Sequence, residues 1–583
     1  MTSVLAQMCI LERLAGFKQP VRPTFGQERG FQVLTACLNA FNASFLYLQG
    51  IMPPPIWGSI TAVIIAVLSF YASHVLMDFP LSHSFYSVLC KTGIQNRTSE
   101  RLGKPYHSSW NSWWHPQQSR TEIEQGAGTT TEDWNILYHL GGNGPWVEKV
   151  IDVVDGGIAP PDGCEVIQVH MMARHAERYP TRKAGKAQKA VFQRMKASNK
   201  TFTGNLSFFN NWTLYWTCDQ TDLEQLTSTG PFAGTLSSFT TGVRLRTRYQ
   251  HLLTHAKTSH PITPTTFWAS NSSRVIQTAK HFASGFFGLD YTTTRTANLS
   301  VISEHSSLGG NTLTPGRTCL ANKRDEHNGQ RNGYRLAAQY RATYMPPIRE
   351  RLLNQTDMYF SDQEIYAMQE MCGFETTVRG RSDWCNVFTK EEFLSFEYAR
   401  DLLHYYRAGP GLRYGVSMGW LWVNATTNLL VEGPEKVGPL YFSFVHDGDI
   451  APMLAALDII NDPHPLPLTH IPHDRKWRKS QVSPMGGRII FELLSCSINT
   501  PTTSASTPKE RFVRLNINDG ITAIPDCNSG PGQSCSLAQF AERTKRKGEE
   551  QREDFRSLCG LDEGSAERIT FLKQAWMGGD DGE

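Results

Sequence analysis

Apolar positions fall along the chain in short blocks that stop abruptly at charge. Residues 166–173 (VIQVHMMA) and 440–445 (LYFSFV) are almost continuous apolar runs, the pattern of strands buried on both faces rather than of strands with one wet side. Residues 265–269 (TTFWA) read as a third strand, and 487–496 and 511–518 as two more, the last alternating at Phe512, Arg514 and Asn516. Between them, residues 184–198 place Val191 and Met195 at helical spacing, and 236–253 and 391–406 (EEFLSFEYARDLLHYY) are further helix candidates. A helical run also begins at Arg274, residues 320–435 look mostly helical with polar loops, and 500–508 form a Thr/Ser/Pro loop. Strands separated by helical stretches predict an α/β chain.

The same pattern has a second feature near the start. No Asp, Glu, Lys or Arg occurs from residue 31 to residue 77, and within that run residues 57–77 are dominated by Ala, Val, Ile, Leu and aromatics. As a helix this segment spans roughly 30 Å, the thickness of a hydrocarbon core. Lys18, Arg22 and Arg29 precede it, which favours a cytosolic N-terminus and a lumenal remainder. A membrane anchor at 57–77 is therefore predicted, with a cleaved signal peptide as the competing reading. Residues 1–56 are then an N-terminal segment. Residues 78–160, rich in Trp, Ser, Gly and His with little periodicity, read as a stem or wrapping arm, and 541–583 as a charged, solvated tail.

Composition adds little to the fold but constrains the compartment and the partners. With 40% hydrophobic and 19% charged residues and a net charge of +3, nothing global points to nucleic acid, so any phosphate affinity has to be local. Eight Asn-x-Ser/Thr acceptors follow the apolar segment, at Asn96, Asn199, Asn205, Asn211, Asn271, Asn298, Asn354 and Asn424, and nine of twelve cysteines fall between Cys164 and Cys559. Both features fit a secretory product, secreted or displayed at the cell surface. Cys527 and Cys535 enclose a Gly/Pro/Ser-rich loop and predict a local bridge, and an odd count leaves one thiol over. No internal repeat and no metal-ligand spacing is present.

The candidate chemistry sits where the two strongest strands end. The first delivers Arg174-His175-Ala176-Glu177-Arg178-Tyr179-Pro180: an imidazole that can be neutral and nucleophilic, between two permanent cations whose planar forks suit phosphate oxygens. The second delivers His446-Asp447-Gly448-Asp449. Strand ends are where open α/β sheets bind ligands. Arg274 lies in the first turn of its helix, where a cation opposes the dipole, mild support for a ligand-facing role. Lys183 and Lys186, just past the first motif, are read as a solvated helix face, with a phosphate-meeting rim as the alternative.

The two stretches resemble the histidine acid phosphatase family, whose patterns are Arg-His-Gly-x-Arg-x-Pro and a distal His-Asp, and within it the fungal acid phosphatases and phytases. The resemblance runs from about Gly163 to about Ser536 and includes Ser273-Arg274-Val275-Ile276-Gln277-Thr278-Ala279, Pro484-Met485-Gly486-Gly487 and the segment from Cys527 to Cys535. It implies a central mixed sheet flanked by helices, as in phosphoglycerate mutase, over 161–540, with a smaller, mostly helical cap from inserts at about 184–260 and 320–435. It implies His175 as nucleophile, Asp447 as proton donor, and Arg174, Arg178, Arg274 and His446 as phosphate ligands, with no metal or cofactor. Asp449 is the rival donor, and Glu392, read as part of a solvated face, occupies a region that meets substrate in fungal relatives. Position 176 departs from the family, Ala replacing Gly, and a positive φ there would strain it by about 1 kcal/mol.

The expected reaction is hydrolysis of phosphomonoesters at acidic pH through a phosphohistidine, phytate included. A weakened or inactive phosphate- or inositol-phosphate-binding membrane protein would keep the arginines. A phosphoglycerate-mutase-like transferase would share the nucleophile, but its cysteine and secretory features would differ. Relative rates on p-nitrophenyl phosphate and phytate separate the readings.

Overall fold

The computed structural model describes residues 134–217, 220–256, 264–497, 509–551 and 553–574. Residues 57–77, together with Asn96 and Cys218, lie outside the described residues; among those described, no helix is long and apolar enough to cross a membrane.

Strands β1 (Cys164–Arg174), β2 (Thr265–Ser270), β3 (Ala297–Ile302), β4 (Leu440–Val445), β5 (Arg488–Ser497), β6 (Lys509–Ile517), β7 (Gly520–Thr522) and β8 (Cys535–Ser536) form one sheet in the order β3-β2-β4-β1-β5-β6-β7, with β8 beside β6. The four strands at the β3 side run parallel and the rest antiparallel, so the sheet is mixed. β1 and β4 are central, and β4 is buried at every residue, as the continuous apolar run predicts.

Helices α1 (Arg182–Ala197), α2 (Gly234–Ala256), α3 (Ser273–Phe286), α4 (Arg331–Thr356), α5 (Asp362–Arg379), α6 (Lys390–Arg407), α7 (Gly415–Glu432), α8 (Asp447–Leu457) and α9 (Leu537–Glu549) cover it. On one face, α2 and α3 lay Leu245, Tyr249, Phe282 and Phe286 on Met171, Phe442 and Phe444. Their axes approach closely because Gly242 and Gly285 lack side chains: a Cβ at either would fall 2.1 Å from a carbonyl oxygen of the opposite helix. On the other face, Trp422, Ile450, Met453 and Phe540 from α7, α8 and α9 meet Tyr441, Phe491 and Leu515. A separate core of Val191, Phe209, Trp212, Met345, Met371, Trp384 and Phe393 holds the cap, built on α1, α5 and parts of α4 and α6.

The structure differs from the expected partition in three places. α2 and α7, expected in cap inserts, belong to the layers flanking the sheet, because periodicity shows that a helix has an apolar face but not what that face meets. Of the expected stem, residues 134–149 are packed, with Ile136, Leu137, Leu140, Trp146 and Val147 buried. Within the expected solvated tail, Phe555, Ile569 and Leu572 are buried, and Gln574 bonds to Thr266 and Leu440 backbone groups. Disulfides join Cys164 to Cys496, Cys319 to Cys559, Cys372 to Cys385 and, as the loop composition predicts, Cys527 to Cys535.

Candidate active site

Parallel pairing of β1 with β4 sets Arg174 opposite Val445, so His175 and His446 leave the sheet together. His175 N donates to Val445 O at 2.9 Å, and the two imidazoles meet edge to face with centroids 5.9 Å apart. The loop after His175 is pinned from several sides. Arg174 N donates to Gly487 O (2.7 Å), Gly486 N to His175 O (2.9 Å), Thr227 N to Glu177 O (3.0 Å) and Ala176 N to Thr278 Oγ1 (3.0 Å). Gly486 makes its bond at φ 70°, in the left-handed region that glycine enters without penalty. Ala176 has no positive φ and is buried, so the strain expected of a Gly-to-Ala departure does not arise.

His175 Nδ1 lies 2.9 Å from Ala176 O. A carbonyl only accepts, so Nδ1 carries the proton and Nε2 keeps its lone pair. Arg178 Nε approaches that nitrogen at 3.4 Å. Burial first, then the charges of Arg174, Arg178 and Arg274, hold the imidazole well below its ordinary value, which leaves it neutral under acidic conditions. Burial and the neighbouring Arg174 and Arg274 bring Arg178 itself down to about 9.

Arg274, in the first turn of α3, places Nη2 3.4 Å from His446 Nδ1, while His446 Nε2 lies 2.7 Å from Glu304 Oε1. The carboxylate thus accepts a hydrogen bond from Nε2–H and fixes the ring. Asp447 Oδ2 lies 3.2 Å from Arg174 Nη2, 3.5 Å from Lys479 Nζ and 4.0 Å from His404 Nε2. Burial opposes its ionisation, but Arg174, Lys479 and His404 outweigh burial and hold the carboxyl well below the usual range. Asp449 goes the opposite way: burial, reinforced by Glu304 and Asp447, pushes it well above the usual range although it accepts the His446 backbone N–H at 3.0 Å. The raised member of the carboxyl pair is the helix-capping Asp449.

His175, Arg178, Arg274, His446 and Asp447 line one cavity of about 690 Å³ between sheet and cap. Arg174 does not line it. Its Nη1 donates to Gly142 O (2.9 Å) and Ser483 O (2.8 Å), and the side chain backs Asp447 from inside. The lining also carries the cations Lys183, Arg317, Lys323, Arg341 and Arg407 beside the carboxyls of Asp362 and Glu370, while Lys186 stays outside. Glu392 is also outside: it closes the capping box of α6 with Thr389 and pairs with Arg351 at 2.6 Å. Sequence reading missed Glu304, Arg400, His404 and Lys479. Only Glu304 carried a signal, two residues beyond the end of parallel strand β3.

Residues 165–518 match the family model of the histidine phosphatase superfamily, branch 2. The chain belongs to that superfamily. A phytase, PHO112, of Candida albicans is 33% identical to this branch 2 histidine phosphatase over 447 residues, 76% of this chain and 90% of the relative. The acid phosphatase PHO1 of Komagataella pastoris is 33% identical over 443 residues, 74% of this chain and 88% of the relative. Among solved structures, the phytase from D. castellii superposes with a TM-score of 0.67 at 28% identity, covering 78% of this chain and 94% of that one. The multiple inositol polyphosphate phosphatase of Bifidobacterium longum, at 14% identity and a TM-score of 0.52 over 74% of this chain and all of that one, shares the fold.

Proposed function

We propose that this histidine phosphatase hydrolyses phosphomonoesters at acidic pH, phytate among them, through a phosphohistidine on His175. The observation that carries the reading is the tautomer lock: Nδ1 is committed to Ala176 O, and Nε2 is unprotonated beside Arg178. His175 Nε2 attacks phosphorus, the ester oxygen leaves with a proton from Asp447, and water activated by the same carboxylate then releases phosphate. Arg178, Arg274 and His446 meet the phosphoryl oxygens, and their charge-assisted bonds strengthen as negative charge builds. Arg174 contributes its charge from behind Asp447 rather than at the phosphoryl oxygens. The negative charge of an arriving phosphoryl group beside Asp447 raises the proton affinity of that carboxyl.

The additional lysines and arginines of the lining support substrates bearing more than one phosphate, in line with the phytase and acid phosphatase relatives. Parallel rates on p-nitrophenyl phosphate and phytate, with alkaline quench and mass detection of a phosphorylated His175 peptide, test the reading; turnover without a modified His175 would overturn it. Route and location extend the same proposal: a secreted or surface enzyme, held by 57–77 if that segment is not cleaved. Four disulfides support it, as does the exposure of Asn199, Asn205, Asn211, Asn271, Asn298 and Asn354. Detergent partition and N-terminal sequencing of the mature protein decide between anchor and signal.

A further inference from the structure

Lys479 stands in a basic stretch, Arg475-Lys476-Trp477-Arg478-Lys479, that composition alone would place in solvent, yet it is fully buried. Its Nζ lies 2.8 Å from Ser483 Oγ, also contacts Ser483 O, and approaches Asp447 Oδ2 at 3.5 Å. Its backbone N–H is fixed by Asp401 Oδ1 at 2.6 Å. A Cβ on Gly142 would sit 2.9 Å from Nζ, so the main chain closes over the ammonium and leaves it no route to water. Lys479 does not line the cavity. It is therefore not placed to meet a phosphate, and among the described residues the one acidic side chain within ion-pair reach is Asp447.

The contacts of Asp447 with Arg174, Lys479 and His404 all fall on Oδ2, which leaves Oδ1 for the leaving-group oxygen. Arg174 is held by Gly142 O and Ser483 O, and Lys479 is enclosed, so neither grip has another place to go. We propose that Lys479 is a positioning residue for Asp447: its buried ammonium keeps a fixed grip on Oδ2 through the catalytic cycle, aims Oδ1 at the departing oxygen, and keeps the acid strong enough to give up its proton. The groups facing Asp447 from other elements are Arg174 and Arg178 from β1 and its loop, Arg274 from α3, and Arg400, His404 and Arg407 from α6, with His446 and Asp449 on its own segment. Burial, with Arg174 and Arg400 nearby, holds Lys479 well below its ordinary value, and Asp447 opposes that fall.

The inference rests on Asp447 as donor, and its test separates the two ideas. The kcat of the full chain is measured against pH on β-glycerophosphate, whose alkoxide needs a proton, and on p-nitrophenyl phosphate, whose phenolate does not. Lys479→Met is expected to move the alkaline limb on β-glycerophosphate upward by about one pH unit and to lower kcat on its acidic plateau about tenfold, because a cation is removed and the acid is weaker and less well aimed. On p-nitrophenyl phosphate the step compared is phosphorylation of His175, read as the burst of phenolate, whose rate should stay within about twofold, and Lys479→Arg should restore the wild-type limb on β-glycerophosphate. If Lys479→Met does not accumulate folded, Lys479→Gln makes the same comparison. A limb that stays in place in the neutral variant, or moves equally in Lys479→Arg, would overturn the proposal. Failure of Asp447 as donor would show separately, as an Asp447→Asn variant that keeps its rate on β-glycerophosphate.

Discussion

Two side chains carry most of the proposed chemistry, and they fail in different ways when removed. His175→Ala deletes the nucleophile and should reduce turnover to background on every substrate, whereas Asp447→Asn should slow phosphorylation of His175 by about 10²–10⁴ only where the leaving oxygen needs a proton, and with p-nitrophenyl phosphate should still label His175 and let the phosphoenzyme accumulate, because the same carboxylate activates the water. Glu304 has a subtler part. It accepts from His446 Nε2 at 2.7 Å, so Glu304→Ala removes the acceptor, frees the ring to turn and should raise KM for phosphomonoesters roughly tenfold while the melting temperature moves little. These residues also mark how far sequence reaches. His175 and His446 were legible because each follows an apolar run directly. Glu304, His404 and Lys479 were not, since each gains its role from a partner far away in the chain. Lys479 illustrates the difficulty best, because a basic run gives no sign of which lysine turns inward.

Elements decide how firmly that geometry is held. The tight turn of Pro484-Met485-Gly486-Gly487 leads into β5 and clamps both ends of the nucleophile's peptide units through Gly486 N and Gly487 O. Gly486→Ala has to carry a Cβ at φ 70° and should cost about 1 kcal/mol in stability, with a larger relative loss in kcat, read by thermal melting beside steady-state rates. The limits of the elements followed from pattern: β4 falls at Leu440–Val445 as its apolar run indicates, and α6 at Lys390–Arg407 lies within one residue of the predicted helix at either end. The allegiance of elements did not follow. α2 carries an apolar stripe that suits a cap or a sheet equally well, and only the facing Phe442 and the missing side chains at Gly242 and Gly285 direct it to the sheet.

At the scale of the whole molecule, acidity that favours the proposed reaction strains the core. His170 is buried in β1, stacked on Tyr441 at 4.3 Å, and neither ring nitrogen meets a hydrogen-bond partner among the described residues. Burial lowers it from 6.5 to about 3. The unfolded chain therefore binds a proton at this site below about 6.5 and the folded chain only below about 3, so stability falls as pH drops between those values. At pH 4 the loss is about 3 kcal/mol, and His170→Phe, which keeps the stack, should shrink the fall in melting temperature between pH 7 and pH 4. Asp519 contributes over a lower range. Although it is buried, Arg488, Arg244 and Arg248 hold it down to about 2, so its stabilising contribution is complete above about 4 and is lost only as pH falls toward 2.

The central position of β1 also bears on the order of events while the chain is made. β1 emerges early, yet the strands on both its sides, β4 and β5, are encoded near the other end. At translation speeds of about 5–20 residues per second, its apolar residues wait on the order of 15–50 s for Leu440 to appear. During that interval Cys164 has no access to Cys496, its partner across β5, and earlier cysteines compete for it. Newly made chains should therefore pass through mispaired disulfides that rearrange only after synthesis ends, and the yield of active enzyme should depend on thiol-exchange catalysts and chaperones more than on the stability of the finished fold.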